Sequence, residues 1–168
     1  MRGSRIMRIV AATALGVFLA DQLSKWLVVH VMGLAQKQAI DVLPPFLNFR
    51  MAWNYGINFG LFSGGPDATR WILIALALAI VGFVTLWLRR DPPGRWGLIS
   101  GGVLIGGALG NVVDRLLYGA VADFLNMSCC GISNPFAFNI ADIAIFAGAL
   151  GLVLFPAEAK PKSRKKGS

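Results

Sequence analysis

Apolar residues dominate four stretches of the chain, 6–32, 71–88, 96–118 and 138–155, with polar intervals between them. The stretch 71–88 runs for eighteen residues without a charge, and about 20 apolar residues in a helix cross the hydrocarbon core of a bilayer. The stretch 6–32 is broken by Asp21, Gln22, Ser24 and Lys25. Its first half, 9–20, has the length of a signal-peptide core. Phe18, however, stands where a cleavage site needs a small residue, and the apolar pattern resumes at Trp26. One membrane span over 6–32 is therefore expected.

The interval 33–69 follows a different period. Leu47, Phe49, Met51, Trp53 and Tyr55 alternate with Asn48, Arg50, Ala52 and Asn54. A period of two predicts a strand with one greasy face, and Pro44-Pro45 ends anything helical before it. A second short strand is expected over 121–125. The chain is thus expected to be a mainly α membrane protein, a four-transmembrane-helix bundle. A small β-containing extracytoplasmic region would lie on its outer membrane face. Residues 1–159 would form one integral membrane domain, and 160–168 a basic, disordered cytoplasmic tail.

Composition agrees. Of 168 residues 56% are hydrophobic and only 14% charged, against about 25% charged in soluble domains. The formal charge is +8, which raises nucleic acid or anionic lipid as a partner. Its distribution decides. Threading four spans places the arginines of 2–8 and 89–95 and the five bases of the tail on one side. Lys25, Lys37, Arg50, Arg70 and Arg115 remain, facing the six aspartates Asp21, Asp41, Asp67, Asp114, Asp123 and Asp142. The positive-inside rule then puts both termini in the cytoplasm and removes nucleic acid as the reason for the charge. Trp53 and Trp71 fall at the outer interface and Trp87 and Trp96 at the inner one, as aromatic belts do. Cys129 and Cys130 are adjacent, a spacing useless for zinc and strained for a disulfide. They are read as structural filler, and no metal or cofactor is expected.

The candidate chemistry sits between 106 and 146. Asn111, Asp114 and Arg115 are spaced to share one face of the third span, Asn139 and Asp142 one face of the fourth, and Asp123 lies between the two spans. From Arg95, Asn111 is about 24 Å up the helix at 1.5 Å per residue, and Asp21 about 20 Å up from Arg8. All converge on the outer half of the membrane, where an ionisable residue is a functional candidate by default. Asp21 and Lys25, four apart, can pair, either to fix helix packing or to support a site. Gly102, Gly106 and Gly110 recur every four residues, a spacing suited to close helix packing. His30 has no partner pattern, and Lys25 has no paired serine. Two close carboxylates cannot easily both ionise, so an aspartate pair can activate water and polarise a carbonyl. Such a pair is suited to peptide hydrolysis. Proton conduction in a proton-coupled transporter or channel component stays open as the alternative.

The set Asp21 with Lys25, N-Y-G-I-N-F-G from Asn54, G-N-V-V-D-R ending at Arg115, V-A-D-F around Asp123 and F-N-I-A-D ending at Asp142 resembles the bacterial lipoprotein signal peptidases, or signal peptidase II. The resemblance covers nearly the whole chain except the basic tail. It implies an aspartic endopeptidase of the bacterial inner membrane, with its site at the outer face. Such an enzyme removes the signal peptide of prolipoproteins just before a diacylglyceryl-modified cysteine. By position it implies Asp123 and Asp142 as the catalytic pair. Asp21, Lys25, Asn54, Gly56, Asn111, Asp114, Arg115 and Asn139 would support the site or bind substrate, Arg115 through hydrogen bonds to Asp114 or to a substrate carbonyl. The implied partners are diacylglyceryl-modified prolipoproteins and membrane lipids, the implied inhibitor is globomycin, and the expected state is a monomer. Ile57 and Asn58 depart from the small residues often found there, and the loop 127–134 matches no family pattern.

Overall fold

The computed structural model describes residues 2–56, 65–131 and 134–157. Ile57, Asn58, part of the loop 127–134 and the tail 160–168 lie outside the described residues. In chain order the elements are α1 (Arg2–Lys25), a π-helical turn (Trp26–Val31), α2 (Leu34–Lys37), β1 (Ala39–Leu43), β2 (Leu47–Asn54), α3 (Gly65–Arg90), α4 (Arg95–Tyr118), β3 (Val121–Asn126) and α5 (Ile140–Leu154).

The molecule is mainly helical. Three helices, Ser4–Val31, Asp67–Arg90 and Arg95–Tyr118, are long and apolar enough to cross a membrane. The fourth expected span is shorter than its apolar stretch. α5 has 15 residues, roughly 22 Å at 1.5 Å per residue, against a hydrocarbon core of about 30 Å. It begins two residues later than the apolar run because Asn139 caps it in extended conformation and Phe138 bridges to Leu125 of β3.

α4 is the central helix, and its small residues let the neighbours in. A Cβ on Gly102 would meet the Val10 carbonyl of α1 at 2.8 Å, and one on Gly107 the Ala141 carbonyl of α5 at 2.6 Å. Gly106 sits against the Ala14 carbonyl of α1. Towards the Arg95 end of α4, Val10 and Ala14 of α1, Val84 and Leu88 of α3, Leu104 of α4 and Leu152 of α5 form one buried cluster. Trp53, Trp71 and Trp96 are exposed, whereas Trp87 packs partly against this cluster.

The sheet is three-stranded and antiparallel, in the order β1-β2-β3. Phe124 of β3, Leu34 of α2 and Val28 of the π-helical turn form a second buried cluster against it. Phe49 meets Phe124 edge-on at 5.8 Å. Strands were expected over 47–55 and 121–125. β1 was not, and nearly all of its residues are exposed, so it shows no alternation of apolar and polar positions. Pairing of Ala52 with Asp123 and of Asn54 with Val121 brings the end of β2 beside the one aspartate on β3.

Candidate active site

Each of the two aspartates singled out in the sequence is placed by its local backbone. Asp142 stands in the first turn of α5, in a reciprocal cap with Asn139. The Asp142 N–H donates to Asn139 Oδ1 at 2.9 Å, and the Asn139 N–H donates to Asp142 Oδ2 at 3.2 Å. This capping box satisfies two of the amide groups that a helix start leaves unpaired. The Asn139 side chain then has its Nδ2 free to reach β3, where it donates to Asp123 Oδ1 at 2.6 Å. One asparagine therefore touches both carboxylates.

Two further amides complete the set. Asn111 Nδ2 of α4 donates to Asp142 Oδ1 at 2.9 Å. Asn54 Nδ2, at the end of β2, donates to Asp123 Oδ2 at 3.1 Å. All four carboxylate oxygens thus accept one N–H each. Asn54 Oδ1 accepts the Gly56 N–H at 2.9 Å, closing an Asx-type turn. Gly56 sits at φ +90, and a Cβ there would lie 2.5 Å from Leu73 Cδ1. Its role is conformational: it lets the chain turn away so that the Asn54 side chain faces Asp123.

Asp123 is 4% exposed. Burial first, and the neighbouring Asp142 carboxylate second, push its carboxyl up to about 6, against the opposing pull of the bonds from Asn54 and Asn139. A carboxyl in that range holds and releases a proton near neutral pH.

Behind the pair lies an ionic layer. Lys25 Nζ sits 2.8 Å from Asp21 Oδ2 and 2.7 Å from Asp114 Oδ2. Asp21, Asp114 and Lys25 are 0%, 1% and 5% exposed. Two acids and one base carry a formal charge of −1, and hydrogen bonds satisfy the carboxylate oxygens. Asp21 Oδ1 accepts the Ala141 N–H at 2.9 Å, and Asp114 Oδ2 the Ala122 N–H at 3.1 Å. Gln22 Nε2 donates to Asp21 Oδ2 at 3.1 Å and to Asp114 Oδ1 at 3.0 Å. Lys25 is therefore committed to two carboxylates and does not serve as a free base. Gly110 belongs to this layer too, since a Cβ on it would meet Asp21 Oδ2 at 2.5 Å.

The structure corrects several expectations. Asp114 pairs with Lys25, while Arg115 Nη1 donates to the Asn111 carbonyl at 3.4 Å. Among the described residues no salt bridge joins an arginine to Asp123 or Asp142. His30 lies 3.4 Å from Tyr118 Oη, a partner that no spacing in the sequence announces. Cys129 and Cys130 are free and exposed, so they fill no core. Gln22 was passed over as an interruption of a span. Its signal was there, an amide beside a buried acid. The backbone groups of Ala122 and Ala141 carry none.

The chain matches the family model described as "Signal peptidase (SPase) II" over residues 13–156. It is 42% identical over 149 residues to a lipoprotein signal peptidase of Shewanella loihica, covering 86% of this chain and 85% of that one. It is 38% identical over 142 residues to the protein of the same name from Vibrio vulnificus, covering 84% and 83%. Among solved structures, a bacterial membrane enzyme determined in meso at 1.9 Å superposes with a TM-score of 0.73 at 26% identity, over 86% of this chain and 90% of that one. A second, determined at 2.3 Å, gives a TM-score of 0.70 at 27% identity over 86% and 85%. The transporter alternative finds no support in these relatives.

Proposed function

This chain belongs to the signal peptidase II family, and from that premise we propose that Asp123 and Asp142 are the catalytic pair of an aspartic-type peptidase. The protein is a membrane peptidase that removes the signal peptides of prolipoproteins. The cut falls on the N-terminal side of the diacylglyceryl-modified cysteine. The observation that carries the assignment is the bridging role of Asn139, which holds a carboxylate from β3 and one from α5 in a single hydrogen-bonded unit.

The division of labour follows from the surroundings. Asp142, in the first turn of α5 and accepting from Asn111 and the Asn139 N–H, sits where a helix start favours negative charge. It takes a proton from water, and the resulting hydroxide adds to the scissile carbonyl carbon. Asp123, whose carboxyl is raised to about 6, gives its proton to the carbonyl oxygen. Collapse of the tetrahedral species breaks the C–N bond as Asp142 gives its proton to the leaving amine and Asp123 takes one back from the gem-diol, which returns the pair to one proton between two carboxyls. Arg115, within electrostatic reach of Asp142 and Asp123, and Asn54 border this centre and contact substrate.

Four spans, both termini in the cytoplasm and a site at the outer face of a bacterial inner membrane account for the distribution of basic residues. The sheet then lies at the outer surface, and globomycin is the inhibitor that a site of this family takes. The test is release of the signal peptide from a diacylated prolipoprotein by purified protein. Asp123→Asn and Asp142→Asn should each abolish cleavage, and the double variant should lose no more than either single one. A folded single variant that cleaves at near wild-type rate removes that aspartate from the mechanism.

A further inference from the structure

The carboxylate pair is held from in front by asparagine amides, but its backbone is gripped from behind. Asp21 accepts the N–H of Ala141, the residue immediately before Asp142, at 2.9 Å. Asp114 accepts the N–H of Ala122, the residue immediately before Asp123, at 3.1 Å. A single ammonium, that of Lys25, joins the two gripping carboxylates at 2.8 and 2.7 Å. We propose that Lys25 is a positioning residue that sets the separation of Asp123 and Asp142 by clamping together the two acids that hold the backbone one residue ahead of each. This rests on the assignment of Asp123 and Asp142 as the reacting pair.

The physical case has three parts. First, the Ala141 N–H belongs to the first turn of α5, whose donors have no partner within the helix. Asp21 supplies one from α1, so the start of α5 is located by α1. Second, Asp21 and Asp114 repel each other, and in a buried setting that repulsion is weakly screened. Without the cation the two acids either separate or share a proton, and in both cases the ammonium no longer sets the spacing of β3 and α5. Third, Lys25 Nζ also lies 3.4 Å from Asn111 Oδ1. An ammonium accepts nothing, so the Asn111 oxygen is turned towards it and the Asn111 NH2 towards Asp142, where it donates at 2.9 Å. Lys25, together with Asn139 Nδ2, which donates to the same oxygen at 3.4 Å, therefore orients one amide of the site as well as setting the spacing of two backbones. At 5% exposure it acts through the residues it holds.

The experiment compares Lys25→Met, Lys25→Arg and the milder Asp21→Asn with wild type in detergent. The readouts are kcat, KM, the pH profile of cleavage and the unfolding temperature. Lys25→Met should lower kcat by about 100-fold, the scale of loss for a displacement of about 1 Å at a reacting centre, with KM little changed. The groups facing the pair would then be Asp21 and Asp114 behind it and Arg115 beside it. Lys25 favours the ionised form of Asp123, so its loss should move the basic limb of the pH profile upward. Lys25→Arg keeps the charge and should restore the limb while recovering only part of kcat. Asp21→Asn should lower kcat by a smaller factor in the same pattern.

The control is Leu88→Ala or Val84→Ala, whichever matches Lys25→Met in loss of unfolding temperature. Both lie in the cluster towards the other end of the bundle, and neither should alter the pH profile. Wild-type kcat and an unmoved limb in folded Lys25→Met or Asp21→Asn overturn the proposal. So do equal kcat losses in the matched core variant. If Asp123→Asn and Asp142→Asn are active, the assignment of the pair fails. If they are inactive and Lys25→Met is fully active, only the positioning role fails.

Discussion

Asp123→Asn, which on the proposed mechanism removes the activity, should make the protein relatively more stable as pH rises. The Asp123 carboxyl is pushed from its ordinary 3.8 to about 6 in the folded protein. Below about pH 4 the acid is protonated whether the chain is folded or not, and the site carries no penalty. As pH rises from 4 to 6 the unfolded chain loses the proton freely while the folded one retains it, so wild-type stability falls. Above 6 the folded acid ionises and the deficit stays constant. At about 1.4 kcal/mol per unit the upper bound is roughly 3 kcal/mol. On the proposed mechanism water reaches this carboxyl, and screening leaves about 1–2 kcal/mol of it. Asparagine never ionises there and escapes the whole deficit. It does lose an acceptor towards Asn54 or Asn139, a constant cost of about 0.5–1.5 kcal/mol that does not vary with pH. The repulsion from Asp142 is already contained in the shift to about 6 and adds nothing to this bound. The assay is the unfolding temperature of variant and wild type in one detergent at a series of pH values. Their difference should grow by about 3–6 °C between pH 4 and 6.5 and then level off. A difference that is flat or shrinks with rising pH refutes the argument.

Gly110→Ala tests the back layer by crowding it: the added Cβ would sit 2.5 Å from Asp21 Oδ2, so it should cost about 1–3 kcal/mol and lower kcat as well. An active, equally stable alanine variant would show that Asp21 has room to shift. Reporter fusions at Lys160 and in the loop 89–95 should report the cytoplasm, and one near Asp41 the outside, as the basic bias requires. An external signal at Lys160 would reverse the orientation.

Much of this was legible in the sequence because helical rise is fixed. Asn111, Asp114 and Arg115 on α4 and Asn139 and Asp142 at the start of α5 could be given a depth from residue counts alone, and depth brought them to one level. The alternation at Leu47–Asn54 marked β2 for an equally simple reason. The pairing of Asp114 was a different matter. Arg115 was read onto one face with Asn111 and Asp114, but it follows Asp114 directly and consecutive residues on a helix do not face each other; the partner came from α1, 89 positions earlier in the chain. The start of α5 was readable and missed, since Asn139 with an acid three residues on is a capping pattern. The π-helical turn at Trp26–Val31 was not readable, because its composition is that of any apolar span. Nor were the grips on Ala122 and Ala141, which are backbone contacts and leave no mark in side-chain identity.

The division between the two layers accounts for the residue types used. Asp21, Lys25 and Asp114 are ionisable and buried, and among the described residues they act on backbone groups and on one another, apart from their contacts with Gln22 and Asn111. The groups that touch the oxygens of Asp123 and Asp142 are neutral: three asparagine side chains and one backbone N–H. A cation in any of those positions would hold its aspartate ionised, since an opposite charge within hydrogen-bond range lowers a carboxyl by 1–3 units. Two aspartates so clamped could not pass one proton between them, as the proposed mechanism requires. Amide donors fix the geometry of the carboxylates without adding a charge, and the fixed charge that the scaffold needs is kept one residue further back.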